Sequence, residues 1–129
     1  VGAGAARGEL AEPLARLFFA GEATSINGHV GTVHGAIESG WRAAAEVLRR
    51  RCPFGVAVRL AAIRRAAGLP DVISVLAQDL TVAVPMVQRP DFAEGVRAQL
   101  IDKDRNPNWV PSRLEDVDAF EVAALFVDL

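Results

Sequence analysis

Apolar or small residues at positions 33, 36, 37, 40, 41, 44, 47 and 48 recur at the three-and-four spacing of an α-helix, and prolines punctuate the chain beyond them. The spacing predicts a helix over residues 32–50 with one buried stripe, stopped by Cys52-Pro53. Pro53 suits a first helical turn, so Val56, Leu60, Ile63 and Ala67 before Gly68 predict a second helix. A third follows Pro70-Asp71, with Val72, Val75, Leu76, Leu80, Ala83 and Val87 on one side. Pro85 removes a backbone donor, which predicts a kink or an end near Val84. Asp91 with Glu94 has the form of a capping box and opens a fourth helix to about Leu100. The prolines and asparagines of residues 102–111 predict a loop. Ser112 with Glu115 and Asp118 with Glu121 are further cap signals, and Val122, Leu125 and Phe126 mark a last short helix.

The start of the chain has a different character. Residues 1–15 are rich in Gly and Ala, a composition that loses much backbone entropy on ordering, and they read as a loop. Leu17-Phe18-Phe19-Ala20, closed by Gly21, suits one short buried strand. The fold class expected is mainly α: four or five helices with at most one short strand near residues 17–20, and, as the family resemblances given below imply, no complete catalytic domain.

Composition sets the class of partner. With 129 residues, 51% of them hydrophobic, the chain can bury a sizeable core. The formal charge of −2 is spread without long runs of one sign, which argues against nucleic acid and polybasic membrane contacts. Arg49-Arg50-Arg51 falls in the last turn of a predicted helix, where cations suit the dipole. The single Cys52 cannot close an internal disulfide, so a reducing cytoplasm is the expected compartment. Neither an apolar run of about 18 residues nor a signal-peptide pattern is present.

Chemistry-bearing residues are sparse. Gly2-Ala3-Gly4-Ala5-Ala6-Arg7-Gly8 falls short of a dinucleotide fingerprint because no strand precedes it. His29 and His34 are five apart and lack a carboxylate at a matching helical offset, so no metal site is expected. Asp102, Asp104 and Asn106 copy the first ligand positions of a calcium loop, but Pro107 replaces its glycine and Arg113 its final glutamate; a turn with local Asx bonds is expected. Trp109 should pin its loop onto helices. Cys52 reads as a packing residue, although nearby arginines could lower its pKa. No catalytic residue is identified.

Two stretches resemble known families. Residues 16–48, with Leu17-Phe18-Phe19-Ala20-Gly21-Glu22 and Gly31-Thr32-Val33-His34-Gly35 opening a helix, resemble the last flavin-contacting segment of FAD-dependent amine oxidases. That resemblance implies FAD contacts by Gly21, Glu22, Thr32 and Val33, with Gly35 allowing close packing. The family's other domains and its aromatic cage have no counterpart, and the chain contains no Tyr. No cofactor is therefore expected for the chain alone, and FAD only if this segment functions.

The run Arg89-Pro90-Asp91-Phe92-Ala93-Glu94-Gly95-Val96-Arg97, continuing through Asp102-Lys103-Asp104-Arg105-Asn106-Pro107-Asn108-Trp109, resembles the carboxyl-terminal part of 3-hydroxyisobutyryl-CoA hydrolases of the crotonase superfamily. Those enzymes of valine breakdown cleave a CoA thioester with a β/β/α core that has no match here. The two resemblances divide the chain into an amine-oxidase-like segment, residues 1–51, and a hydrolase-like helical region, residues 52–129. They imply a truncated or fused hydrolase relative without its catalytic core, with a flavin amine oxidase tail or a non-enzymatic helical interaction module as alternatives. CoA thioester or FAD would bind through a missing domain, and exposed apolar helix faces could drive self-association.

Overall fold

Thr32 opens the first long helix: its side-chain oxygen accepts the Gly35 amide at 3.0 Å, so Val33–Arg49 (α1) starts on a satisfied cap. The computed structural model describes residues 8–14 and 17–127. Within them the chain continues through Pro53–Ala66 (α2), Val72–Gln88 (α3), Pro90–Val96 (α4) and Ala119–Ala124 (α5). Two compact units divide it, Val1–Arg50 and Arg51–Leu129. No described helix is long and apolar enough to cross a membrane.

In the first unit the expected strand does not form. Leu17 makes only an isolated antiparallel bridge with Leu14, while residues 18–20 are irregular. A lone apolar tetrad has no second strand among the described residues to supply a ladder. Residues 8–11, expected as loop, are helical, and residues 1–7 lie outside the described part. A 3₁₀ turn at Glu22–Thr24 packs against α1.

The face that α1 buries is a correction to the sequence pattern. Gly35, Ser39 and Ala43 are buried, whereas Val33, Ile37, Trp41 and Leu48 are exposed. Hydrogen bonds account for the choice. Ser39 Oγ accepts the Gly21 amide at 2.9 Å, and Arg42 donates to the Ala11 carbonyl at 2.7 Å and the Phe19 carbonyl at 2.9 Å. Glu38 accepts from the Ser25 hydroxyl and the Asn27 amide. The polar side of α1 thus gathers the preceding segment, and its apolar stripe faces outward.

The second unit has the larger side chains in its core. Phe54 and Val58 of α2, Val82 of α3 and Val122 of α5 are buried together, with Met86, Leu125 and Phe126 packed against them. α2 and α3 also turn faces other than those the spacing favoured. Leu60 and Ile63 are exposed, as are Leu76, Leu80 and Val87, while Gln78 and Val82 are buried. Both helices carry apolar residues on several sides, so periodicity alone does not select a face.

Pro85 does not end α3, which continues to Gln88. The carbonyl of Thr81 loses its helical donor, yet Val82 and Met86 on either side of the proline both join the core and hold the two halves together. α4 also differs from expectation. Its cap position is Arg89 with Pro90 in the first turn, so Asp91 and Glu94 do not form a capping box. A π turn, Arg97–Ile101, carries the helix into the 102–111 loop. Asp118 caps α5 by accepting the Phe120 amide at 2.8 Å; Ser112 makes no corresponding cap for the 3₁₀ turn Leu114–Asp116, whose cap position is Arg113.

Candidate functional site

Freed from capping, the two acidic side chains of α4 reach the loop. Asp91 Oδ1 accepts the Val110 amide at 2.9 Å, and Glu94 Oε1 accepts the Asn108 amide at 2.7 Å. These residues are three apart and share a helix face, so they grip the backbone on both sides of Trp109. Arg97 then fixes Glu94 through a bidentate pair, Nε to Oε2 and Nη2 to Oε1, both at 2.8 Å. Its remaining nitrogen donates to Asp102 at 2.5 Å and Asp104 at 2.7 Å. Arg97 and Asn108 hold the Glu94 carboxyl down from its ordinary 4.5 to about 2.

Asp102 and Asp104 are therefore ligands of a guanidinium. Asp104 also accepts the Asn106 amide at 2.9 Å, the local Asx bond expected for this turn. Lys103 and Arg105 adopt positive φ values of 58° and 56° as the alternating acidic groups turn onto Arg97. Trp109 lies against α4 at Gly95, where an added Cβ would make a tight 3.3 Å contact with the indole Cη2. The expected pinning of the loop by Trp109 takes this form.

Trp109 borders an open cleft of about 930 Å³ between α2, α3 and α4, wholly within the second unit. Val82, Met86, Phe92, Val96 and Leu100 give it an apolar lining. Cys52, Arg59, Gln78, Asp79, Arg89 and Asp91 add polar groups to it. Cys52 caps α2 through a 3.4 Å contact of Sγ with the Gly55 amide. Arg89 lies 3.5 Å above the Phe54 ring and pairs with Glu121 at 3.3 Å. Burial pushes the Cys52 thiol up, with the Asp91 charge adding to it, so the arginine-lowered thiol considered from sequence is not found. A protonated thiol and an engaged carboxylate can position a ligand but do not constitute an activated nucleophile.

In the first unit, the residues associated with a flavin are directed onto the protein. The Gly21 amide donates to Ser39, the Glu22 carboxylate accepts the Ala23 amide at 2.7 Å, and the Thr32 hydroxyl donates to the His29 carbonyl at 2.7 Å while capping α1. Val33 is exposed. Gly21 meets α1 at Ser39, roughly 9 Å along the helix from Val33, so the four residues do not converge on one point. Gly35 does serve close packing, since a Cβ there would overlap the His29 carbonyl. His29 and His34 meet edge to face at 4.7 Å, and no cluster able to hold a metal occurs among the described residues.

The grip on Trp109 is the feature sequence reasoning missed. Its signal was the acidic pair 91/94 followed by Arg97, three residues on one face; the capping-box pattern supplied a competing local explanation.

Comparison with known proteins gives a consistent family. The enoyl-CoA hydratase/isomerase model matches residues 7–126, spanning both units. A Dictyostelium discoideum protein named 3-hydroxyisobutyryl-CoA hydrolase, mitochondrial, is 32% identical over 84 residues, 65% of this chain and 22% of its own length. An Arabidopsis thaliana protein named probable 3-hydroxyisobutyryl-CoA hydrolase 2 is 78% identical over 27 residues, 21% of this chain and 7% of its own. The Arabidopsis small ribosomal subunit protein mS47 is 51% identical over 43 residues, 33% of this chain and 10% of its own. The chain thus spans about a fifth or less of the length of these relatives. No solved structure matches. The flavin amine oxidase resemblance gains no support from these comparisons. The matched model covers nearly the whole sequence, and the chain belongs to the enoyl-CoA hydratase/isomerase family.

Proposed function

We propose that these residues form the carboxyl-terminal helical part of a CoA-thioester hydrolase of the 3-hydroxyisobutyryl-CoA hydrolase type, acting with a catalytic core that this sequence does not contain and inactive without it. The observation that carries the reading is the family match over residues 7–126 together with relatives bearing that enzyme's name. The cleft supports it: a hollow with apolar stretches and the Trp109 indole at its rim has room for an acyl group and its carrier arm. A reducing interior, cytoplasmic or mitochondrial, suits the free Cys52 and the mitochondrial name of the Dictyostelium relative.

Segment exchange tests this. Residues 52–129 would replace the matching segment of the Dictyostelium hydrolase, and CoA release from 3-hydroxyisobutyryl-CoA would be followed by thiol detection. Retention of the relative's kcat/KM within about ten-fold is expected, a change of roughly 1.4 kcal/mol in transition-state stabilisation. A folded chimera that releases no CoA would refute the assignment.

The similarity to mS47 favours one second reading, a non-enzymatic helical module that serves in an assembly. In that case a folded, inactive chimera would be the outcome.

A further inference from the structure

Each of the two longer helices that line the cleft carries one charge into it. On α2, Arg59 stands beside Ala62 and Ile63; on α3, Asp79 repeats at helical spacing with Val75 and Val82. Both charged residues are exposed, and neither makes an ion pair or hydrogen bond among the described residues. The other two charges of the lining are engaged, since Arg89 pairs with Glu121 and Asp91 accepts the Val110 amide. One cation and one anion are thus left without a counter-charge, each set in an apolar row.

The same rows carry apolar side chains that the unit does not cover. Ile63 lies one turn beyond Arg59 on the same face of α2 and is exposed, as is Val87 on α3. An ion of either sign would match one charge and leave the other bare. A second copy of the chain supplies both signs together with apolar surface. In a two-fold contact, Arg59 of one copy meeting Asp79 of the other entails the reverse contact as well, so a surface with one unmatched charge of each sign is complementary to itself. The Arg59 and Ile63 side chains of a neighbour form a convex edge, which fills only part of a cleft of about 930 Å³.

We propose that the cleft is the contact surface of a two-fold dimer of this chain, in which Arg59 and Ile63 of each copy enter the cleft of the other and Arg59 pairs reciprocally with Asp79. The inference goes beyond the hydrolase reading and does not rest on it.

Charge reversal tests it on the full chain, by sedimentation equilibrium over a range of concentrations. The parent should approach twice its 13.7 kDa, with a dissociation constant that rises with added NaCl. R59D and D79R each set like charges against one another at both reciprocal contacts, so each alone should weaken the dimer by roughly ten-fold or more. An equimolar mixture of the two variants pairs opposite charges at both contacts and should recover the parent's affinity as a one-to-one heterodimer. The double variant R59D/D79R should recover it as a homodimer. Both positions are exposed, circular dichroism checks that each variant keeps its helices, and recovery in the mixture itself requires both to be folded. Association that ignores both reversals would belong to other apolar faces. Loss without recovery would mean that the two charges do not meet across a two-fold axis, and a parent monomeric at every concentration would leave the cleft to some other occupant. Each of these three results overturns the proposal, and none of them depends on whether the chimera releases CoA.

Discussion

Glu94 shows how one residue can be misread from its spacing and still occupy the centre of the site. Three residues after Asp91 it resembles the second half of a capping box, yet its carboxylate holds Arg97 and the Asn108 amide. The Arg97 ion pair and the loop bond depress its pKa from 4.5 to about 2. A group depressed in the folded state contributes stability that is fully present above the unfolded value and is lost as pH falls through the folded one. Glu94→Gln keeps an acceptor for Asn108 and removes the charge, so it should lower the melting temperature near neutral pH. The gap from the parent should shrink from about pH 4.5 downward and close near pH 2. Thermal melts across that range check it; a gap independent of pH would mean that the ion pair contributes no stability of its own.

At the scale of elements, the helices were legible and their orientations were not. Prolines and caps mark helix limits through local backbone chemistry, so α1, α2 and the start of α3 could be placed from Thr32, Pro53 and Asp71. Facing depends on tertiary neighbours. In α1, Ser39 and Arg42 turn the polar side inward, and in α3 Gln78 is buried with its amide donating to the Ala62 carbonyl at 3.1 Å. Apolar spacing carries no record of those bonds. The candidate site was legible only as the separate signals of Asp91, Glu94 and Trp109, because the Arg97 contacts that join them depend on the π turn and the loop geometry. The assignment of faces has a mechanical consequence. Val82→Ala should cost about 1–3 kcal/mol by removing buried methyl groups, whereas Leu80→Lys, at a side chain 68% exposed, should stay within about 0.5 kcal/mol. Urea titrations of both variants test this, and the reverse order would show that α3 buries its Leu76/Leu80 side instead.

At the scale of the whole molecule, each unit leaves its most apolar helix surface uncovered. Val33, Ile37, Trp41 and Leu48 run along α1, and Ile73, Leu76, Leu80, Val84 and Val87 along α3, all substantially exposed. Contiguous apolar surface of this kind marks an interaction face or an aggregation hazard. In relatives whose full length is several times that matched, the rest of the polypeptide is available to cover such faces; copies of this chain can cover them by association. Light scattering coupled to gel filtration should therefore give a mass that rises with concentration above the 13.7 kDa of a single chain. Leu76→Lys with Leu80→Lys should reduce that rise without loss of helix, since both positions are exposed within the unit. Trp41→Lys should act on the first unit in the same way. If the parent chain holds a monomer mass at every concentration, the outward stripes are tolerated by water. Apolar area alone would then not drive association between copies of this chain.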